Sequence, residues 1–464
     1  MVGSGELCFR SAVELRRLLA DREISALELL DTHIDRIERY DRGLNAVVTR
    51  CFEEARRRAS GPLAGPLAGL PIAHKDLTAT AGLRTTYGSP LFRDHVPAED
   101  SLLVARIKAA GAVTIGKTNV PEFGAGSQSF NRVFGATRNP WDTTRTCGGS
   151  SGGAAVALAA RFMPIADGSD TGGSLRNPAA FCNVVGFRPS PGRVPGGWQE
   201  QGAWSDISTC GPMARNVDDL ALLFSAIAGP DRHVTNALPE PGVAFRSVTP
   251  VDLRGLRVAV TENFGDLPVA APIRATIRGL GDTLADAGAI VTAAEPDLAD
   301  ADRVFHVLRA ARFRARFGPL PPEQKAELKD TILWNAAAGE ALTQADEDWV
   351  DGARSALVAR VAAFFDDFDV LIGPTTQVQP FDVDTDWVRE VDGVAMRTYI
   401  EWMQSCSRVT VTCCPALSLP CGFAEGLPVG AQLVAPMRQD AFLLSVAKAV
   451  EEAAGSGDAV PDLV

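Results

Sequence analysis

A pattern that occurs twice constrains the fold of this chain most strongly. Helical stretches at about 101–110 and 273–287 each run into the tripeptide Ala-Gly-Ala, and an apolar segment typical of a strand follows each of them. A third such segment, at 256–260, precedes the second helix. Recurring strand–helix–strand units predict parallel strands with helices packed on the sheet. We therefore expect an α/β fold with a mixed, mostly parallel central β-sheet covered by helices on both faces.

The chain length bounds the number of domains. A chain of 464 residues suffices for one large or two medium domains, and neither a tandem repeat nor a low-complexity tract divides it. We expect a single domain over residues 1–464. Within it we expect a helical N-terminal arm at about 8–45, a catalytic core at about 60–190, and the remaining sheet and the substrate pocket at about 250–455.

The charge balance and the scarcity of histidine exclude several classes of function. With 45 Lys and Arg against 57 Asp and Glu, the net charge is −12, whereas binding to nucleic acid or to an anionic membrane requires a basic surface. The chain has no apolar run long enough for a membrane span. The five histidines lack metal-binding spacings, so we expect neither a metal nor a cofactor.

The cysteines and the N-terminus indicate the compartment. Nine cysteines are scattered without a pairing rhythm, which is typical of buried free thiols in a reducing environment. The first residues lack a basic segment followed by an apolar run, so no signal peptide is predicted. We expect a cytoplasmic protein.

Between residues 121 and 190 the chain is crowded with Gly, Ser, Thr and Asn. Three loops stand out, at 123–127, 147–153 and 170–174, and they alternate with segments that read as buried. Loops with so little side-chain bulk allow backbone N–H groups to approach a ligand closely. This region is therefore predicted to form a site.

One motif suggests a nucleotide hydrolase. Residues 111–118 match the phosphate-loop pattern G-x4-G-K-[ST], with Lys117 as its lysine. Such a loop should follow a strand and open a helix. Here the intervening residues themselves resemble a strand, and Asn119-Val-Pro121 follows in place of a helix, so this function is kept only as an alternative.

A second motif suggests a Ser-His-Asp hydrolase. Residues 148–152 match G-x-S-x-G around Ser150, a pattern that requires a strand immediately before it and a histidine downstream. Turn-forming residues precede it instead. Of the downstream histidines, His233 lies in a Pro/Gly-rich loop and His306 in a helical pattern.

A third reading uses all the glycine-rich loops and needs no histidine. Ser174 follows two glycines, so it can act as a nucleophile while the preceding backbone N–H groups face the developing oxyanion. Lys75, at the end of an apolar strand, can serve as the base if burial lowers its pKa. Ser150 supplies a second hydroxyl that can bridge the two.

The order and spacing of these motifs resemble the amidase signature family. The resemblance includes the Gly-Gly-Ser-Ser-Gly-Gly run and the Asp-Thr-Gly-Gly-Ser run, and it extends from about residue 10 to about residue 452. The matching segments are 69–76, 116–123, 139–142, 148–153, 170–176, 414–422 and 426–432.

The resemblance implies a Ser-Ser-Lys triad and a role for each of its members. Ser174 would be the nucleophile, Ser150 the bridging serine after a cis peptide bond, and Lys75 the base and later the acid. The backbone N–H groups that would form the oxyanion hole are those of Thr171, Gly172, Gly173 and Ser174. The fold implied is the amidase signature fold.

Two positions near the triad depart from the pattern or carry an ambiguous role. Cys147 stands where many members have proline, and we expect a packed, unreactive residue. Arg176 follows the nucleophile by two positions. In some relatives a nearby arginine pairs with a substrate carboxylate, but we expect a structural ion pair here.

The substrate is less well determined by the sequence. By resemblance and by their small size, the residues expected to line the acyl side of the pocket are Gly124, Ala125, Gly126 and Ser127. No second basic cluster is evident, so we expect small uncharged amides, aryl or alkyl, with carbamates (urethanes) also plausible. The main alternative is an A-type amidotransferase chain that works in a multi-chain complex, and homodimerisation is left open.

Overall fold

In the computed structural model, which describes residues 4–196, 207–455 and 457–463, helices and strands alternate along the chain. The helices, numbered in chain order, are α1 Ala12–Ala20, α2 Ala26–Leu44, α3 Phe52–Ala59, α4 Leu102–Ala109, α5 Gly152–Ala159, α6 Arg176–Cys182, α7 Val217–Ile227, α8 Ala271–Asp286, α9 Ala301–Phe317, α10 Pro322–Lys325, α11 Asp330–Glu340, α12 Gln344–Asp367, α13 Gln404–Thr410 and α14 Asp440–Ala454.

The strands form one large sheet, one small sheet and two isolated pairs. They are β1 Val47–Arg50, β2 Pro71–Lys75, β3 Val113–Thr118, β4 Phe130–Asn131, β5 Gly135–Ala136, β6 Ile165–Asp170, β7 Val185–Arg188, β8 Thr209–Ala214, β9 Arg257–Val260, β10 Ile290–Ala293, β11 Val370–Pro374, β12 Glu390–Val391, β13 Val394–Ala395, β14 Ala416–Ala424 and β15 Leu427–Val434.

Both predicted strand–helix–strand units are present. The first, β2–α4–β3, builds a three-stranded sheet of order β1-β3-β2 in which β2 and β3 are parallel. The second, β9–α8–β10, gives a parallel pair at one edge of the eight-stranded sheet. The large sheet has the order β10-β9-β11-β15-β14-β7-β8-β6, and helices flank it, which confirms a single α/β domain with a mixed central sheet.

The expectation of a mostly parallel sheet was wrong. Among the described residues, only the β10/β9 and β9/β11 pairs of the large sheet are parallel, and its other neighbours pair antiparallel. The β14–β15 hairpin shows one cause, because Glu425 and Gly426 at its turn both have positive φ. That conformation suits a tight two-residue connection, which joins antiparallel strands only.

The two sheets meet where the glycine-rich loops lie. Strand β2 of the small sheet packs against β6, the edge strand of the large sheet, and both strands are almost completely buried. Helix α5 packs against both. The carboxyl ends of β2 and β6 therefore carry Lys75 and the loop of Ser174 to one place. None of the helices that the structure describes has the length and apolar character to cross a membrane.

Candidate active site

Lys75 is the last residue of β2 and its side chain is fully buried. Its Nζ donates to Ser150 Oγ at 2.9 Å and to Ser151 Oγ at 2.8 Å. It also donates to the carbonyl and the hydroxyl of Ser169, both at 3.1 Å. Burial, which disfavours the ammonium form, lowers the pKa of Lys75 to about 7. The lysine is thus poised to exchange a proton near neutral pH with the hydroxyls around it.

A buried carboxylate fixes the end of β2. Asp167 of β6 has Oδ1 2.8 Å from His74 Nδ1, and its Oδ2 accepts the backbone N–H of Lys75 at 3.2 Å. His74 Nε2 lies 3.0 Å from Thr114 Oγ1 on the neighbouring strand. Asp167 therefore holds the backbone of Lys75 against the edge of the large sheet.

The loop that carries Ser150 and Ser151 leads directly into α5. The Gly149–Ser150 peptide bond is cis, as the resemblance implies. The N–H of Ser151 donates to the carbonyl of Ser174 at 3.0 Å, which joins this loop to the loop after β6. At Gly152 a Cβ would lie only 2.3 Å from Ser129 Oγ, so only glycine fits at the start of the helix.

Asp170 shapes the loop that carries Ser174. Its carboxylate accepts the backbone N–H of Gly173 at 2.9 Å and that of Leu175 at 3.1 Å. Arg176 also donates to it twice, from Nε at 3.0 Å and from Nη2 at 2.9 Å. Both side chains are completely buried. Arg176 is therefore a structural ion-pair partner, which confirms that expectation.

The predicted oxyanion donors fall into two groups. Thr171, Gly172 and Ser174 line the same cavity as Ser150. Gly173 does not line that cavity, and its N–H already donates to Asp170. The N–H of Gly173 therefore has a structural role, whereas the oxyanion-hole role of the other three amides stays a prediction. At Gly173 φ is +114°, and a Cβ would lie 2.7 Å from that of Cys406.

The cavity that Ser150 and Ser174 line has a volume of about 360 Å³, large enough for a small ligand. Of the four small residues predicted to line it, Gly124, Gly126 and Ser127 do so. Ala125 is instead buried in a small apolar cluster around Ile332 and does not line the cavity. Aromatic side chains complete the apolar part of the wall: Phe123, Phe313 and Phe317.

The cavity wall also contains three arginines, which contradicts the expectation that the chain has no second basic cluster. Arg309, Arg312 and Arg316 of α9 all line it. Residues separated by three and four positions lie on one face of a helix, so all three arginines can reach the same wall. The helical spacing was the available signal, but the sequence alone did not show that this face of α9 borders the site.

The other sequence motifs have structural roles. Lys117 is a buried residue of β3 that donates to Thr80 Oγ1 at 2.9 Å and to the carbonyl of Thr78. The phosphate-loop interpretation is thus wrong, because Val113–Thr118 is a strand and the next helical segment, a short 3-10 helix at Glu122–Gly124, begins only after Pro121. Neither His233 nor His306 lines the cavity. Cys147 is buried, and burial raises the pKa of its thiol to about 12, which agrees with an unreactive packed residue.

Comparison with known proteins agrees with this geometry. A sequence model of the family described as Amidase matches residues 28–444. The chain belongs to the amidase signature family. Among curated relatives of this amidase is the A-type chain of the Glutamyl-tRNA(Gln) amidotransferase of Pseudomonas fluorescens (strain SBW25). It is 34% identical, over 94% of this chain and 95% of the relative.

Solved structures of similar shape include two amide hydrolases. A bacterial aryl acylamidase of the amidase signature family superposes with a TM-score of 0.88 at 30% identity, and the match covers 96% of each chain. A 6-aminohexanoate cyclic dimer hydrolase gives 0.87 at 28% identity, covering 98% of this amidase and 99% of that chain. The chain is accordingly an enzyme of a family that acts on amide C–N bonds.

Proposed function

We propose that this amidase cleaves small amides, or carbamates, through an acyl-enzyme formed on Ser174. The observation that supports this most directly is a buried lysine, Lys75, whose Nζ lies 2.9 Å from Ser150 Oγ, with Ser150 and Ser174 on the wall of one cavity. A lysine with a pKa of about 7 can act as a base at neutral pH without a histidine.

In the proposed first step, the neutral amine of Lys75 accepts the proton of Ser150 while Ser150 takes the proton of Ser174. The oxygen of Ser174 attacks the substrate carbonyl and forms a tetrahedral oxyanion. The N–H groups of Thr171, Gly172 and Ser174 can stabilise it, and one such donor contributes about 3–4 kcal/mol to catalysis. Helix α5 begins just after Ser151, and the partial positive charge at its N-terminus also favours the negative charge of the oxyanion.

The same relay then works in reverse. The leaving amine is expelled readily only when it is protonated, so the ammonium of Lys75 returns its proton through Ser150 to the leaving nitrogen. Collapse of the tetrahedral intermediate gives the acyl-enzyme and the free amine. A water molecule, deprotonated by the same relay, hydrolyses the ester of Ser174 and regenerates the hydroxyl.

A second function shares this chemistry and is favoured by the curated relatives. The relative from Pseudomonas fluorescens is named as part of an amidotransferase, and it aligns over 94% of this chain. In that role, the chain would form the acyl-enzyme in the same way but would act within a multi-chain complex. The solved structure named as an aryl acylamidase, similar over 96% of this chain, supports the first function, cleavage of small amides.

The nucleophile is tested by Ser174→Ala. We expect turnover of an anilide to fall by about 10³-fold or more, because effects of this order accompany loss of a nucleophile. Ser150→Ala should have a comparable effect. Ser355→Ala, on the exposed face of α12, is the matched control and should retain normal turnover. Normal rates in Ser174→Ala would refute the assignment.

The two functions are separated by assaying the purified chain alone. Release of amine and acid from anilide, primary amide, ester and carbamate substrates at steady rates supports a self-sufficient hydrolase. A component of an amidotransferase should instead show turnover only when partner chains are added from the source cell, and it should co-purify with them.

A further inference from the structure

The α9 arginines are unusual because the one buried deepest is balanced by no carboxylate in the described part of the chain. Arg309 is 6% exposed. Its Nε donates to Asn335 Oδ1 at 3.2 Å and its Nη2 to the Tyr399 hydroxyl at 2.6 Å. Its guanidinium carbon lies 4.6 Å from the centre of the Phe313 ring. All these partners are neutral, and an uncompensated buried cation is costly.

The surroundings of Arg309 add to its positive charge. Arg312 and Arg316 continue the same face of α9 along the cavity wall. Lys329 is also close, and its Nζ donates to the carbonyl of Ala125. Burial lowers the pKa of Lys329 to about 8; the charge of Glu122 opposes this change, and the charge of Arg309 adds to it. Arg309 and Lys329 therefore repel each other, and an anion bound beside Arg309 would offset that repulsion.

The described residues that line the cavity include no Asp or Glu. Arg309 therefore faces the substrate space with no acidic group among the described residues of the wall. The rest of that wall is aromatic or small, and the guanidinium of Arg316 lies 5.0 Å from the ring centre of Phe123. An arginine stacked on an aromatic ring is well suited to bind a planar carboxylate.

We propose that this arginine face of α9, Arg309 above all, binds an anionic group of the substrate. The substrates are then small amides or carbamates that carry a carboxylate beside an apolar body. This inference rests on the proposed function, since it assigns the substrate class of the same site. The sequence led to the expectation of an uncharged substrate. The inference replaces it with a negatively charged substrate, opposite in charge to the arginines of the wall.

The test compares kcat/KM within two matched pairs. In one pair the carboxylate is on the acyl part (N-succinyl-4-nitroanilide and its methyl ester), and in the other it is on the leaving amine (N-acetyl-4-aminobenzoate and its methyl ester, each followed at the amide bond by chromatography). We expect kcat/KM to be about 10- to 100-fold higher for the charged member in at least one pair, because a charge-assisted hydrogen bond to the carboxylate gives a preference of this size. A preference for the neutral ester in both pairs overturns the inference.

Variants assign the preference to α9. Arg309→Gln should bring the ratio of kcat/KM for the charged to the neutral substrate close to one, and Arg309→Lys should retain part of it. Because Arg309 also contacts Asn335 and Tyr399, thermal melting checks that these variants fold. Arg316→Gln, at a less buried position, should lower the same ratio if Arg309→Gln does not fold. Unchanged ratios in every folded variant overturn the inference.

Two further controls keep the conclusions separate. Arg303→Gln is on the same helix but pairs with Asp346 at the surface, so it should leave the ratio unchanged. Ser174→Ala is assayed on the same substrates. If it abolishes turnover while the wild-type ratio is one, the arginine inference fails and the proposed function stands. If it retains turnover, the proposed function itself fails.

Discussion

At the scale of single residues, the site depends on a lysine kept out of water. The Nζ of Lys75 donates to three hydroxyls and one carbonyl, all of them neutral. These four acceptors bind the amine, and none of them is a carboxylate. Desolvation is the largest influence on its pKa, and the more distant charges of Asp170 and Asp167 oppose it. This balance leaves the pKa near neutrality, where a proton relay is most useful.

The pH dependence of activity follows from this pKa. Below about pH 7, Lys75 is an ammonium ion and cannot accept the proton of Ser150; above it, the amine is free. We expect kcat/KM to rise with pH as one proton is lost, with a midpoint near pH 7. The measurement is the profile from about pH 5 to about pH 9, where the protein must be shown to stay folded. A profile flat through this range would contradict the role of Lys75.

Asp170 stabilises the loop that carries Ser174 and balances two buried cations. Burial alone raises its pKa, but Arg176 and Arg188 lower it, and the net pKa lies below the ordinary value. Asp170→Asn leaves Arg176 and Arg188 without that charge, so we expect the free energy of unfolding to fall by about 3–5 kcal/mol. Denaturant unfolding measures this. Asp252→Asn, which removes an exposed partner of Arg254, should leave stability unchanged.

The sequence identified the chemical groups more reliably than their contacts. Lys75, Ser150 and Ser174 were predicted from glycine-rich loops and a short apolar strand. The structure brings Lys75 into hydrogen-bond contact with Ser150, and Ser174 lies on the same cavity wall as Ser150. The sequence could not predict which backbone N–H groups of this loop already have a hydrogen-bond partner. The N–H of Gly173 donates to Asp170, and that bond depends on the position of the Asp170 side chain in the fold. The sequence also could not show that Ala125 packs into the apolar cluster around Ile332 and not against the cavity.

At the scale of elements, β2 and β6 act together through one carboxylate. Asp167 holds both the His74 ring and the backbone of Lys75, and its charge also raises the pKa of Lys75. Since two sheets meet here, Asp167 is a positioning residue that couples their alignment to the position of Lys75.

Asp167→Asn tests this coupling. Loss of the negative charge disfavours the ammonium form, so the pKa of Lys75 falls and the rising limb of the kcat/KM profile moves to lower pH. A merely structural defect would lower the rate without moving the limb. Asp348→Asn, an exposed residue of α12, is the control and should leave the profile unchanged. A limb that stays in place would contradict the electrostatic role.

Local units were predictable from the sequence, but the pairing of distant strands was not. The Ala-Gly-Ala turns correctly indicated that α4 leads into β3 and α8 into β10, because helix termination and strand onset are local events. The neighbours of β7, β8 and β14 are chosen by contacts across the sequence. The mostly parallel sheet was predicted by extending a local rule to strands that do not belong to such units.

At the scale of the whole molecule, stability comes from a large core and not from covalent crosslinks. Buried apolar residues from the N-terminal helices to α14 form one continuous cluster that spans both sheets. A chain of 464 residues buries enough surface to fold without staples. Lys75 is fully buried within this interior, so a stable core is also what keeps the lysine free of water.

The cysteines give a test of this view. All nine are free thiols, six of them buried, although Cys413 and Cys414 are adjacent. Burial raises the pKa of Cys182 and Cys406 as it does that of Cys147, so few of the thiols react while the fold is intact. We expect a reducing agent to leave the melting temperature unchanged. Alkylation in denaturant without reductant should modify all nine cysteines by mass spectrometry, whereas native alkylation should modify at most the three partly exposed ones. A melting temperature that falls on reduction, or an unmodified pair in denaturant, would reveal a crosslink and show that the core alone does not hold the site together.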